Sequence, residues 1–131
     1  MATIECTVVT PEKTELTTQA DSIIVPMFDG LLGILPGRSP MIGRLGFGLL
    51  KVKSGGSEST YYVDGGFVQV NRQGVCILTD RMMKPEAIDG NAVAEELRVA
   101  LAMPADSPEK QAIRDRAVTQ ARAKASIAGK R

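Results

Sequence analysis

The sequence predicts an α+β chain: an all-β sandwich or barrel of many short strands, followed by an antiparallel two-helix hairpin. Three observations predict it. Up to Pro85, short apolar stretches recur near every ten residues and are parted by Gly, Pro, Asn and Asp turns. Beyond Pro85 the apolar spacing changes from two to that of a helix. A link of a few residues, Ala105-Asp106, then joins two helical stretches, and so short a link favours an antiparallel return. The expected division is a sandwich over residues 1–85 and a hairpin over 86–131.

Taken in order, Ile4 to Val9 alternates, with Ile4, Cys6 and Val8 on one side and Glu5, Thr7 and Val9 on the other. That is the period of a half-buried strand. Thr10-Pro11-Glu12-Lys13 is a turn, Leu16 to Ala20 a polar Thr-rich strand, and Ser22 to Pro26 a buried strand ended by its proline. The most constrained stretch follows, Asp29 to Met41 (DGLLGILPGRSPM). Gly30, Gly33, Gly37, Pro36 and Pro40 bracket the apolar pairs Leu31-Leu32 and Ile34-Leu35. Glycine admits backbone angles that a Cβ forbids and proline fixes φ, so the stretch reads as turn, very short strand, turn. It lacks the Lys and Ser/Thr of a phosphate loop, and no helical pattern follows it. Phe28, Leu31 and Arg38 should project from the turn tips, natural contact points on a rigid scaffold.

Met41 to Leu45 and Gly48 to Lys53 read as two strands separated by Gly46-Phe47. Ser54-Gly55-Gly56-Ser57 turns the chain into Glu58 to Asp64, and Gly65-Gly66 is a tight corner. Phe67 to Val70 then leads through Asn71-Arg72-Gln73-Gly74 into Val75 to Thr79. In the first helix Val93, Leu97 and Leu101 recur at helical spacing beside Ala100, with Asp89 or Asn91 able to cap its start. Pro104 ends it. Ser107 caps a second helix with Pro108 in its first position, running to about Ile127. Its inward positions are expected to be Ile113, Ala117, Ala121 and Ala125.

Composition narrows the function. The 131 residues contain no histidine, which excludes a His-based triad, a Cys–His pair and any His-containing metal site. The two cysteines, Cys6 and Cys76, cannot make a four-thiolate zinc site and read as buried reduced thiols. Neither a catalytic constellation nor a cofactor site is expected. A net charge of +1 argues against a general nucleic-acid binder. No run approaches a membrane span, and no secretory pattern precedes Cys6. The charge is nevertheless uneven. Residues 107–131 carry Lys110, Arg114, Arg116, Arg122, Lys124, Lys130 and Arg131 against Glu109 and Asp115, a net +5 suited to an acidic partner surface.

DGLLGILPGRSPM, then VDGGFVQV (Val63 to Val70), VCILTD (Val75 to Asp80) and a two-helix tail resemble the ε subunit of bacterial F-type ATP synthase over essentially the whole chain. The resemblance implies a non-catalytic rotor subunit that couples proton flow to ATP synthesis. It implies a β-sandwich of about ten strands followed by an α-helical hairpin, the sandwich docked on the γ subunit and on the polar loops of the c-ring, and the helical tail able to reach the α/β catalytic head and inhibit ATP hydrolysis. It places the complex, and this chain peripherally, at the cytoplasmic face of the bacterial inner membrane. The ring-facing loop maps onto Phe28, Asp29, Gly30 and Leu31, with Arg38 at the next turn; some relatives have an acidic residue where Leu31 stands. The γ-facing surface maps onto Thr10, Met41, Ile42 and Gly43. The inhibitory arm would use Arg114, Arg116, Arg122 and Lys124. Some relatives bind ATP through Ile/Leu-Asp-x-x-Arg-Ala at the start of helix one. Here that stretch is Ile88-Asp89-Gly90-Asn91-Ala92-Val93, so Asp89 is kept, Arg122 remains on helix two, and Ala92 replaces the arginine. Losing that guanidinium removes a charge-assisted contact worth about 1.5–3 kcal/mol, so weak or no ATP binding is expected. The alternative from another class is a free-standing β-sandwich binding module, for which the sequence offers no cluster of convergent polar groups.

Overall fold

The computed structural model describes residues 3–128, which divide into two compact units parting between Met83 and Lys84. The first holds β1 (Ile4–Val9), β2 (Thr14–Ala20), β3 (Ser22–Met27), β4 (Gly30–Ile34), β5 (Met41–Ser54), β6 (Ser57–Val70), β7 (Gly74–Leu78) and β8 (Met82–Met83). The strands are joined in the order β2-β1-β7-β6-β5-β3-β4, with β8 on β6. All pairs are antiparallel except β1 with β7.

The strand count among the described residues is eight, because β5 and β6 are each one 14-residue strand where two short ones were expected. Their ladder keeps one register from Leu45↔Gly66 to Phe47↔Asp64, across Gly46 and Gly65. Here the glycines bend a strand and do not end it. Gly66 has φ +109°, and a Cβ on it would stand 1.8 Å from the Leu78 carbonyl oxygen. No other residue type fits there. The sandwich core draws Ile4, Cys6 and Val8 from β1, Ile23 and Val25 from β3, Ile34 from β4, and Leu50, Val63, Val68 and Ile77 from β5 to β7. All core members lie between Ile4 and Ile77. A buried polar knot joins Tyr62, whose hydroxyl donates to Asp64 Oδ1 at 2.9 Å, to Thr79, whose Oγ1 accepts the Asp64 N–H at 3.0 Å. Buried groups so paired avoid the desolvation cost of an orphaned donor.

Only one of the cysteines is buried. Cys6 lies opposite Val75 in the core, whereas Cys76 lies opposite Thr7 on the other face of the sheet and is half-buried. Alternation on β7 sends Val75 and Ile77 inward and Cys76 outward. Burial, with a smaller contribution from Cys76, pushes the Cys6 thiol from 9.0 up to about 12. Below about pH 9 this thiol is protonated in folded and unfolded chains alike, and its effect on stability is constant. Between about pH 9 and 12 the unfolded chain ionises first, so stability should fall as pH rises, by on the order of 4 kcal/mol over the window. Urea titrations at about pH 8 and about pH 11 check this: the parent should lose more stability than Cys6→Ala. An equal loss in both would remove Cys6 as the cause.

The second unit opens with a single 3-10 turn, Pro85–Ala87, and continues as α1 (Gly90–Leu101) and α2 (Pro108–Ala128). Asp89 caps α1, its carboxylate accepting the Asn91 N–H at 2.9 Å. The Ser107 hydroxyl accepts the Lys110 N–H at 3.2 Å at the head of α2. The buried positions are Val93 and Ala100 on α1, and Val118, Ala121, Lys124 and Ile127 on α2. Ile113, expected as the inward anchor, is 64% exposed, and Leu101 is exposed as well. Length explains the correction. The start of α1 faces the end of α2, where a Cβ on Gly90 would touch Ala128. The 12 residues of α1 therefore cover the later part of the 21-residue α2 and leave Ile113 beyond their reach.

Candidate functional site

On the sandwich, strand pairing brings an apolar patch onto the outer face of β5, β6 and β7. One row runs Arg44↔Phe67↔Leu78↔Val9, and the next Ile42↔Gln69↔Cys76↔Thr7. Ile42 is 73% and Phe67 55% exposed, and Leu78 is exposed beside them. Single exposed apolar residues are ordinary, but neighbours in register on one sheet face form a surface that lacks a partner. A hollow of about 360 Å³ borders the patch, with Thr10, Phe67 and Leu78 among its walls.

This geometry sorts the four residues expected at a γ-facing surface. Ile42 is presented. Met41 and Gly43 pair with the inward Val70 and Val68 and turn the other way, as a period of two requires for neighbours of Ile42. Met41 packs on the core, and a Cβ on Gly43 would meet Met27 Cε. Thr10 is buried, its hydroxyl donating to Glu15 Oε2 at 2.9 Å, and reaches the surface only as a wall of the hollow. Phe67 and Leu78 were missed. The alternation of Val68 and Val70, and of Val75 and Ile77, already placed both outward.

A second surface lies at the β3–β4 tip. Phe28 and Asp29 make the two-residue turn, Gly30 follows with φ +138°, and the Phe28 N–H donates to the Arg44 carbonyl at 3.1 Å. Phe28 is 67% and Leu31 76% exposed. Asp29, Gly30, Leu31 and Arg38 come together around one hollow of about 330 Å³, so the residues expected at a ring-facing loop form one place. An apolar tip flanked by one acid and one base can bury Phe28 and Leu31 against a partner while pairing either charge at the rim.

The second unit contains a cavity of about 410 Å³ lined by Ala92, Glu95, Glu96, Val99, Gln120 and Lys124 among others. Lys124 is buried and its Nζ lies 2.8 Å from Glu96 Oε2. It holds the two helices together and is not presented by an arm, which corrects the expectation for this residue. A lysine on the inward side of α2 finds its charge partner within the hairpin. Arg122 is exposed; Arg114 is half-buried, 3.5 Å from Asp115; Arg116 is exposed. On α1, Arg98 pairs with Glu95, which holds the Glu95 carboxyl below its usual value.

Comparison with known proteins decides what carries these surfaces. The family model described as ATP synthase, Delta/Epsilon chain, beta-sandwich domain matches residues 3–85. An ATP synthase epsilon chain from Rhodopirellula baltica is 47% identical over 119 residues, 91% of this chain and 93% of that one. The chain belongs to the ATP synthase epsilon-chain family. It is thus a non-catalytic subunit of ATP synthase. The epsilon chain of Symbiobacterium thermophilum is 35% identical over 132 residues, covering all of this chain and 88% of that one. In fold the chain matches one from the mitochondrial ATP synthase of Euglena gracilis, solved with its c-ring, at a TM-score of 0.84 and 24% identity, over 100% of this chain and 83% of that one.

The stretch from Ile88 to Val93, expected to resemble a nucleotide motif, makes other contacts here. The Asp89 carboxylate is taken up by capping α1, and Ala92 lines an apolar cavity beside Glu95 and Glu96. Neither Asp89 nor Arg122 borders that cavity.

Proposed function

We propose that the chain is a rotor subunit in the central stalk of ATP synthase, coupling proton translocation to ATP synthesis and restraining ATP hydrolysis. In this reading the sandwich, residues 1–85, docks on γ through Ile42, Phe67 and Leu78. The tip formed by Phe28, Asp29, Gly30 and Leu31, with Arg38, rests on the polar loops of the c-ring. The hairpin, residues 86–131, is the regulatory arm. Arg114, Arg116 and Arg122 on α2 meet an acidic surface of the catalytic head. The observation that carries the reading is the exposed apolar pair Phe67↔Leu78, with Ile42 diagonally beside Phe67, on a face of the sandwich away from its core, which a subunit interface would cover.

Association with the membrane runs through the complex, at the cytoplasmic face of the bacterial inner membrane. No described helix is long and apolar enough to cross a bilayer. The test is co-purification: the tagged chain expressed with its cognate subunits should bring down γ, the c-ring, and the α and β subunits. Recovery of the tagged chain alone would overturn the proposal.

Nucleotide plays no part in it. Calorimetry with the isolated chain should detect weak ATP binding or none, because Ala92 stands where the motif has an arginine and the lysine in that cavity, Lys124, is already paired with Glu96. Ala92→Arg should strengthen whatever binding exists. A low-micromolar dissociation constant for the parent would show the argument wrong.

A further inference from the structure

Two arginines of the sandwich converge on one recess. It measures about 350 Å³ and is lined by the connection between β4 and β5, the turn between β6 and β7, and the start of β1. Arg38, Ser39, Asn71, Arg72 and Gln73 form its polar walls, and no Asp or Glu borders it. Both arms are held in place. The Arg38 N–H donates to the Leu35 carbonyl at 3.2 Å, and Gly37 takes φ +87°. Asn71 Oδ1 accepts the N–H groups of Gln73 and Gly74, each at 2.9 Å. Among the described residues, neither Arg38 nor Arg72 has an acidic partner within ion-pair distance. Two guanidiniums on braced turns, with no counter-ion in the walls between them, form a receptor for an anion. Their fork geometry favours the planar carboxylate.

Arg38 also identifies the source of that anion, because it borders the tip hollow with Asp29 and Leu31. The recess is continuous, through this one residue, with the surface assigned to the c-ring. We propose that Arg38 and Arg72 receive an acidic side chain of the ring's polar loops when the Phe28–Leu31 tip docks. The proposal rests on the ring-docking reading above. It gives the contact a charge of the opposite sense to one made through an acidic residue at position 31. The tip supplies apolar burial and the recess fixes register.

The experiment measures binding of the full-length chain to detergent-solubilised c-ring at low and at physiological salt. Arg72→Glu should weaken binding about tenfold or more at low salt. Arg72→Gln should weaken it less, and Arg72→Lys, which keeps the charge without the fork, least but measurably. The pair Arg38→Gln with Arg72→Gln should abolish the salt dependence that the parent displays. Thermal midpoints of all variants are measured alongside, and the Gln variant serves if a reversal disturbs the turn. If Phe28→Asp abolishes binding while every Arg72 variant binds as the parent does, the recess proposal is overturned and the docking reading stands. If parent, Phe28→Asp and Arg72→Glu all fail to bind, or all bind equally, the docking reading itself falls.

Discussion

Ending the chain at Lys84 is expected to abolish inhibition of ATP hydrolysis in the reconstituted complex, while γ binding and ATP synthesis persist. The sandwich can stand alone because every residue of its core lies between Ile4 and Ile77. The arm it loses is suited to movement. Its buried apolar side chains are few, Val93 and Ala100 on α1 and Val118, Ala121 and Ile127 on α2. A fully buried Val or Ile stabilises by about 1.5–3 kcal/mol, and a methyl by about 0.8, so the α2 face contributes only a few kcal/mol. An equilibrium with a gap of that size yields to a partner with differential affinity for the open state. An α2 of 21 residues would reach about 30 Å once released. Reversing Arg114, Arg116 and Arg122 to Glu should relieve inhibition in the full chain too, and added salt should weaken inhibition by the parent. Lys124 is left out of that set because its charge is engaged by Glu96. ATPase activity with the full, truncated and charge-reversed chains makes the comparison. Equal inhibition by all three would exclude the arm from the mechanism, and a truncated chain that does not fold would make the hairpin a structural part of the sandwich.

Ile42→Asp combined with Phe67→Asp should eliminate measurable binding to γ without unfolding the chain. Both side chains are more than half exposed, so a carboxylate costs little in the free subunit. In a covered interface the same groups would be desolvated without a partner. Each change at the centre of such a patch is worth on the order of 2 kcal/mol or more, about thirtyfold in affinity. Gln69→Ala, between them on the neighbouring strand position, should matter far less. The measurement is γ capture by each variant, with urea midpoints to confirm folding. Capture of γ by the double variant at parental strength would move the interface to another face.

The sequence alone was enough for most of the architecture because the relevant signals are local. Period-two alternation in Ile4 to Val9, the Gly55-Gly56 hairpin, Asp89 and Ser107 as caps, and Pro108 opening α2 each act within a few residues. It was enough for the tip as well, since Gly30 and Gly37 dictate turns whose outward residues are adjacent in the chain. What it left open depended on partners distant in sequence. Gly46 and Gly65-Gly66 look like strand ends in the sequence; that β5 and β6 bend there and continue is decided by each strand finding the other along its full length. The outer patch joins Ile42, Phe67 and Leu78 from three strands, so register had to exist before it could be seen. Ile113 and Lys124 exchanged their expected roles because the length of α1 sets which turns of α2 are covered. Arg38 and Arg72, 34 positions apart by number (72 − 38), share a recess only because the sheet brings two turns together. Local chemistry specified the elements, and the long-range pairing of strands and helices decided which side chains remain exposed to meet a partner.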